Sequence, residues 1–148
     1  MFNSIIDVLS VIVAVAAFVI SIVTYQKNVT HDRKADTLDA FNLLQEQALD
    51  KLNRYKPADV CEYAKHPRSE EYKELSALLA RVEHFCVGVN DKIYDEKTVK
   101  RLAGIYFIKL YDKLLPIIEK KRDIYTEERL FDDFELLVLR LKKYCNVK

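Results

Sequence analysis

Val8 to Gln26 reads VLSVIVAVAAFVISIVTYQ, nineteen residues without one charge. As a helix rising 1.5 Å per residue it spans roughly 28 Å, about the hydrocarbon thickness of a bilayer. Asp7 bounds it on one side and Lys27 on the other. Its polar residues are Ser10, Ser21, Thr24, Tyr25 and Gln26. The three hydroxyls up to Thr24 can bond back to helical carbonyls, and Tyr25 suits an interface. A soluble core helix of this length usually carries charge along one edge. The stretch therefore reads as a membrane span. Residues 1–7 hold no Lys or Arg, and no small-x-small site follows the apolar run, so a cleaved signal is not the expectation.

Lys27, His31, Arg33 and Lys34 follow the span. The positive-inside rule then puts the N-terminus outside and everything from about residue 27 in the cytoplasm, the span crossing the inner (cell) membrane once. The expected division is an anchor over 1–27 and a cytoplasmic helical bundle over 28–148. Cys61, Cys86 and Cys145 are odd in number and widely spaced, which reads as free thiols in a reducing compartment. Asn28-Val29-Thr30 is a glycosylation sequon in form only, because this topology leaves it in the cytoplasm.

Half of the 148 residues are apolar and only two are glycine. Such a chain favours helices over sheets, which need more turns. The formal net charge of +1 reads as a mixed, balanced surface and argues against nucleic acid as the main partner, because phosphate binding needs a dense basic face. The class expected is all-α: one transmembrane helix and about four bundle helices.

The helices follow from apolar stripes at intervals of three and four. The first covers about Asp32 to Tyr55, through Leu38, Phe41, Leu44, Ala48 and Leu52. No Gly or Pro lies between Phe2 and Lys56, so the span can run straight into it with at most a small break near 28–31. Pro57 ends it and opens one or two turns to Ala64. Another helix starts near Ser69, with Tyr72, Leu75, Leu78, Leu79, Val82, Phe85, Cys86 and Val89 inward. Asp95 is the expected N-cap of the next, whose inner face is Val99, Ala103, Tyr106, Leu110, Leu114 and Ile117. Pro116 should kink or end that helix. Thr126 is expected to cap the last, striped by Leu130, Phe131, Phe134, Leu137, Val138, Leu141 and Tyr144.

Two surfaces suggest contacts. Ser10, Ala14, Ala17, Ser21 and Thr24 recur at four and three and share one face of the span. Small side chains let helix backbones approach closely in lipid, so this face is the expected homo-oligomer interface. Leu102 to Ile108, LAGIYFI, is charge-free all round. Its Leu102, Ile105, Tyr106, Phe107 and Ile108 are either central or covered by a protein partner.

No chemistry-bearing motif emerges. Gly88 and Gly104 stand alone, so no phosphate loop is present, and His31, His66 and His84 are far apart without a metal-binding spacing. No catalytic residue, cofactor or metal is expected. Glu83 lies beside the stripe residues Val82 and Cys86, and a carboxylate so near a core needs a cation or backbone donor. Arg122, beyond Pro116, is the expected partner in a buried ion pair.

The run LLARVEHFCVGVNDKIYDEKTVKRLAGIYFIKLYDKLLPIIEKKR, Leu78 to Arg122, resembles a bacterial family of small single-pass membrane proteins known only as a domain of unknown function. The features that match are Glu83, the Gly88–Asp95 turn, Val99, Pro116 and Arg122. The resemblance implies an N-terminal membrane helix with a cytoplasmic helical domain, and that Glu83 and Arg122 belong together. It implies no activity.

The expected function is a membrane-anchored interaction module that acts through protein contacts and self-association, with membrane lipid as its other partner. A membrane-disrupting effector of toxin or phage-defence type, gated by the cytoplasmic domain, is the alternative. The span carries no charge with which to line a pore, which favours the module. An enzyme with an unrecognised site comes third.

Overall fold

One helix, α1, runs from Phe2 to Leu44 and crosses positions 28–31 without a break. The structure, a computed structural model, describes the backbone of residues 2–145 and the side chains of residues 9–145. Met1 of the expected anchor, the Asp7 side chain that bounds the span, and residues 146–148 of the expected bundle lie outside the described residues. With no Gly or Pro to interrupt it, α1 extends until Gln45–Leu49, one turn of π-helix, and finishes at Asp50–Leu52. Then come α2 (Pro57–Ala64), α3 (Glu70–Asn90), α4 (Glu96–Tyr125) and α5 (Asp132–Cys145). No strand occurs among the described residues.

The helix starts follow local chemistry. Pro57 occupies the first turn of α2, and Asp59 accepts the Lys56 backbone N–H at 3.0 Å. The Ser69 hydroxyl accepts the Tyr72 N–H at 3.1 Å to open α3. Asp95 caps α4 as expected, accepting the Thr98 N–H at 2.9 Å.

Two expectations are corrected. Pro116 neither ends nor visibly breaks α4; the irregular residue is Ala103, at φ −148° and ψ 19°. A proline's fixed φ is helical, and the lost hydrogen bond is offset by the burial of Leu114, Ile117 and Ile118 around it. Thr126 caps the end of α4 and not the start of α5. It adopts a left-handed conformation, φ 53°, and its N–H donates to the Arg122 carbonyl. The chain then needs a further turn to reverse, so α5 starts at Asp132.

α3 runs antiparallel to the lower part of α1: Arg81 meets Gln47 and Phe85 meets Phe41. α5 returns along α4. Phe107 is the middle of the core, stacked on Phe85 at 5.9 Å and edge-on to Phe134 at 6.1 Å. The whole predicted stripe of α3 is buried, as are Phe131, Phe134, Leu137, Val138 and Leu141. Leu38 and Tyr144 are exceptions, at 43% and 68% exposed. The helical phase instead turns Thr37 inward, fully buried one position from Leu38.

Candidate functional site

Residues 9–32 of α1 are all exposed and stand clear of the bundle. The most apolar 18-residue window has a mean hydropathy of 2.2, and none of it is buried. By length and composition this is the one helix among the described residues able to cross a membrane. Ser10, Ala14, Ala17, Ser21 and Thr24 lie on this free segment, and all are exposed. The Ser21 hydroxyl donates to the Ala17 carbonyl at 2.8 Å, so its proton is used within its own helix.

A second feature gathers where α3, α4 and the start of α5 meet. A helix begins with N–H groups that lack partners. The residue before α5 is Phe131, at φ 67°, whose ring cannot cap. Glu83, from α3, supplies the missing acceptor: its two carboxylate oxygens take the Asp133 N–H at 3.1 Å and the Phe134 N–H at 2.8 Å. Burial raises the Glu83 carboxyl above its ordinary value, and it outweighs the two backbone bonds, which act to lower it. The neighbouring Asp133 and Asp132 push it further up. Cys86, one helical turn on, is buried, and the same desolvation holds its thiol well above the usual range.

Arg122 reaches the same helix start from α4 but takes different groups. Its guanidinium donates to the Leu130 carbonyl at 2.8 Å, to Glu135 at 2.7 Å and to Asp132 at 3.4 Å. Glu83 and Arg122 thus form no ion pair with each other. Glu83 is taken by backbone donors, and the two carboxylates on α5 are closer claims on Arg122. What they share is the element they hold. Tyr111 completes the cluster; burial, then the nearby Glu135 carboxylate, push its hydroxyl up to about 12.

The charge-free LAGIYFI run does not form one surface. Phe107 and Ile108 are core, Tyr106 is half-buried with its hydroxyl donating to Asn53 at 2.9 Å, and only Leu102 and Ile105 face out, at 47% and 57%. A helix apolar all round is here mostly central, with the Ala103 irregularity in its midst.

Three positioning residues gave no signal in the sequence. The buried Thr37 hydroxyl donates to the Arg33 carbonyl at 2.6 Å and accepts the Asp95 N–H at 2.7 Å. Asn90 donates to Asp133 at 2.6 Å and accepts from Arg140. Lys113 donates to the carbonyls of Leu52 and Tyr55, at 2.6 and 3.0 Å, and so caps the end of the long helix. Each pairs groups more than forty positions apart, beyond any local pattern. Among the described residues no three His, Cys, Asp or Glu side chains gather as a metal site would require.

The pattern of the domain of unknown function DUF4760 matches residues 10–141. The match takes in the free apolar part of α1 together with the bundle as far as Leu141. No curated protein and no solved structure matches the chain. The chain belongs to the DUF4760 family.

Proposed function

We propose that this member of the family is a membrane-anchored helical interaction module of a bacterial inner membrane. α1 crosses the bilayer once with its N-terminus outside, and the bundle works in the cytoplasm through protein contacts and self-association. The observation that carries this reading is the free segment of α1. Residues 9–32 are exposed on every side, which in water leaves a long apolar surface uncovered. A bilayer covers it, and a second span packed on the Ser10, Ala14, Ala17, Ser21 and Thr24 face adds close backbone contact. The basic flank of Lys27, Arg33 and Lys34 supports the orientation.

Thiol labelling tests the topology. Cys61 is exposed and reports access, whereas buried Cys86 stays silent in any compartment. A membrane-impermeant maleimide should label Cys61 only after the cells are permeabilised. Efficient labelling of intact cells overturns the orientation. For self-association, Ala14→Ile with Ala17→Ile should weaken the oligomer measured in detergent, and a monomeric wild type overturns that part. Rapid depolarisation on induction would favour the effector alternative.

A further inference from the structure

We propose that the end of the bundle formed by the Asp91–Asp95 turn faces the anionic headgroups of the bilayer, held there by its lysine and arginine side chains, with Ile93 at the tip turned toward them. The inference deepens the membrane reading and rests on α1 spanning the bilayer.

Because α1 is unbroken, position along it measures distance from the membrane. Thr37 lies eleven residues past Gln26, or about 16 Å at the helical rise. Its hydroxyl accepts the Asp95 N–H, which ties the turn to that level. α3 climbs α1 in the opposite sense, from Gln47 opposite Arg81 to Phe41 opposite Phe85. α3 ends at Asn90, and the turn after it shares a cleft with Arg33, which lies about 10 Å past Gln26. Arg33, Lys92, Lys97 and Arg140 do border one shallow cleft there. The headgroup layer extends roughly 5–7 Å beyond the hydrocarbon, and charges act across a Debye length of about 8 Å. Flexible lysine stems bridge the remainder.

The turn is built to present Ile93. The N–H groups of Ile93 and Tyr94 both donate to the Gly88 carbonyl, at 2.9 and 3.0 Å. Tyr94 folds inward and stacks on Phe85 at 5.3 Å. Lys92 sits in the left-handed region, φ 61°, a strained conformation for a residue with a side chain. Ile93 is left 59% exposed at the tip of a held turn.

The charges at this end suit a headgroup surface. Asp95 is engaged by Thr98, and Glu96 pairs with Arg140 at 3.2 Å. Arg33, Lys92 and Lys97 take no ion pair among the described residues. Asp32, Asp36, Asp39 and Asp91 remain exposed and temper the attraction. The surface therefore acts as an electrostatic rest beside an anchor that already supplies the affinity.

The test uses the full chain reconstituted into bilayers of phosphatidylcholine, or of equal parts phosphatidylcholine and phosphatidylglycerol, containing spin-labelled lipid. Cys86→Ser and Cys145→Ser are made throughout; a fluorophore is placed at Ile93→Cys or Val15→Cys in a Cys61→Ser background, or on Cys61 retained as the sole cysteine. In anionic bilayers the probes at 93 and 15 should both be quenched and that at 61 should not. Arg33→Gln with Lys92→Gln should lower quenching at 93 alone, the docking equilibrium constant falling roughly fivefold for each cation lost. A probe at 93 as bright as that at 61, while that at 15 is quenched, overturns the docking and spares the span. An unquenched probe at 15 overturns both. Equal quenching at 93 in neutral and anionic bilayers overturns the headgroup selectivity proposed.

Discussion

The Glu83 carboxylate caps α5 from another helix, accepting the Phe134 backbone N–H at 2.8 Å. Ordinarily the acceptor comes from the residue preceding the helix. Here that residue is Phe131, so the start of α5 depends on α3. Glu83→Ala should cost about 1–2 kcal/mol, the usual loss on deleting an N-cap, measured by urea unfolding of the detergent-solubilised chain.

The same carboxyl should leave a trace in the pH dependence. Its folded pKa is raised, so the folded chain holds the proton after the unfolded chain has released it. Stability from this group is full below the unfolded value and falls as pH rises through the folded one. Comparing wild type with Glu83→Gln between about pH 4 and 7 isolates the group, because the other carboxyls are common to both. The difference should move in favour of the glutamine variant as pH rises. Movement the other way would mean that the two backbone bonds outweigh burial.

Arg122 and Glu135 should couple, and Arg122 and Glu83 should not. The first pair touches at 2.7 Å with both side chains partly exposed, so a double-mutant cycle should give about 0.5–1 kcal/mol. The second pair acts on separate groups of α5 and should be additive within about 0.3–0.5 kcal/mol.

The two glycines should respond with opposite sign. A Cβ on Gly88 would lie 2.7 Å from Cδ2 of Tyr94, a ring held by Phe85. Overpacking of roughly 1–3 kcal/mol exceeds the gain of about 1 kcal/mol in helix propensity, so Gly88→Ala should destabilise. At Gly104 the nearest atom is 3.6 Å away, an ordinary contact. Gly104→Ala should therefore gain up to about 1 kcal/mol, and thermal melts of the two variants should bracket the parent.

Phe134 is fully buried and meets both Phe107 and Tyr111 edge-on. Phe134→Ala should cost about 3–5 kcal/mol, read by the same unfolding assay. A variant that unfolds with the parent would remove this residue from the core.

Periodicity made the interior legible. Every residue of the Tyr72–Val89 stripe is buried, because a helix with one apolar face has one way to lie against its neighbours. A sparse stripe carries less phase information: the spacing predicts Leu38 in the core, and the buried neighbour is Thr37. Glu127 and Glu128 after Thr126 give it the pattern of a helix start, yet a short polar residue also serves at a helix end, and here it closes α4. The Glu83 environment was half legible. Its place beside Val82 and Cys86 showed that it needed a donor, but nothing local says that the donors are backbone groups fifty positions away.

The unbroken passage of α1 through positions 28–31 makes it a drive shaft. Each residue of an α-helix turns the chain by about 100° and advances it 1.5 Å, with no swivel to absorb either. The azimuth of the bundle is therefore geared to the face that the exposed apolar segment shows to its surroundings. One residue inserted there would swing the bundle about a quarter turn or more and lower it slightly, leaving every internal contact of both parts intact. Seven would restore the bearing to within about 20° at greater depth.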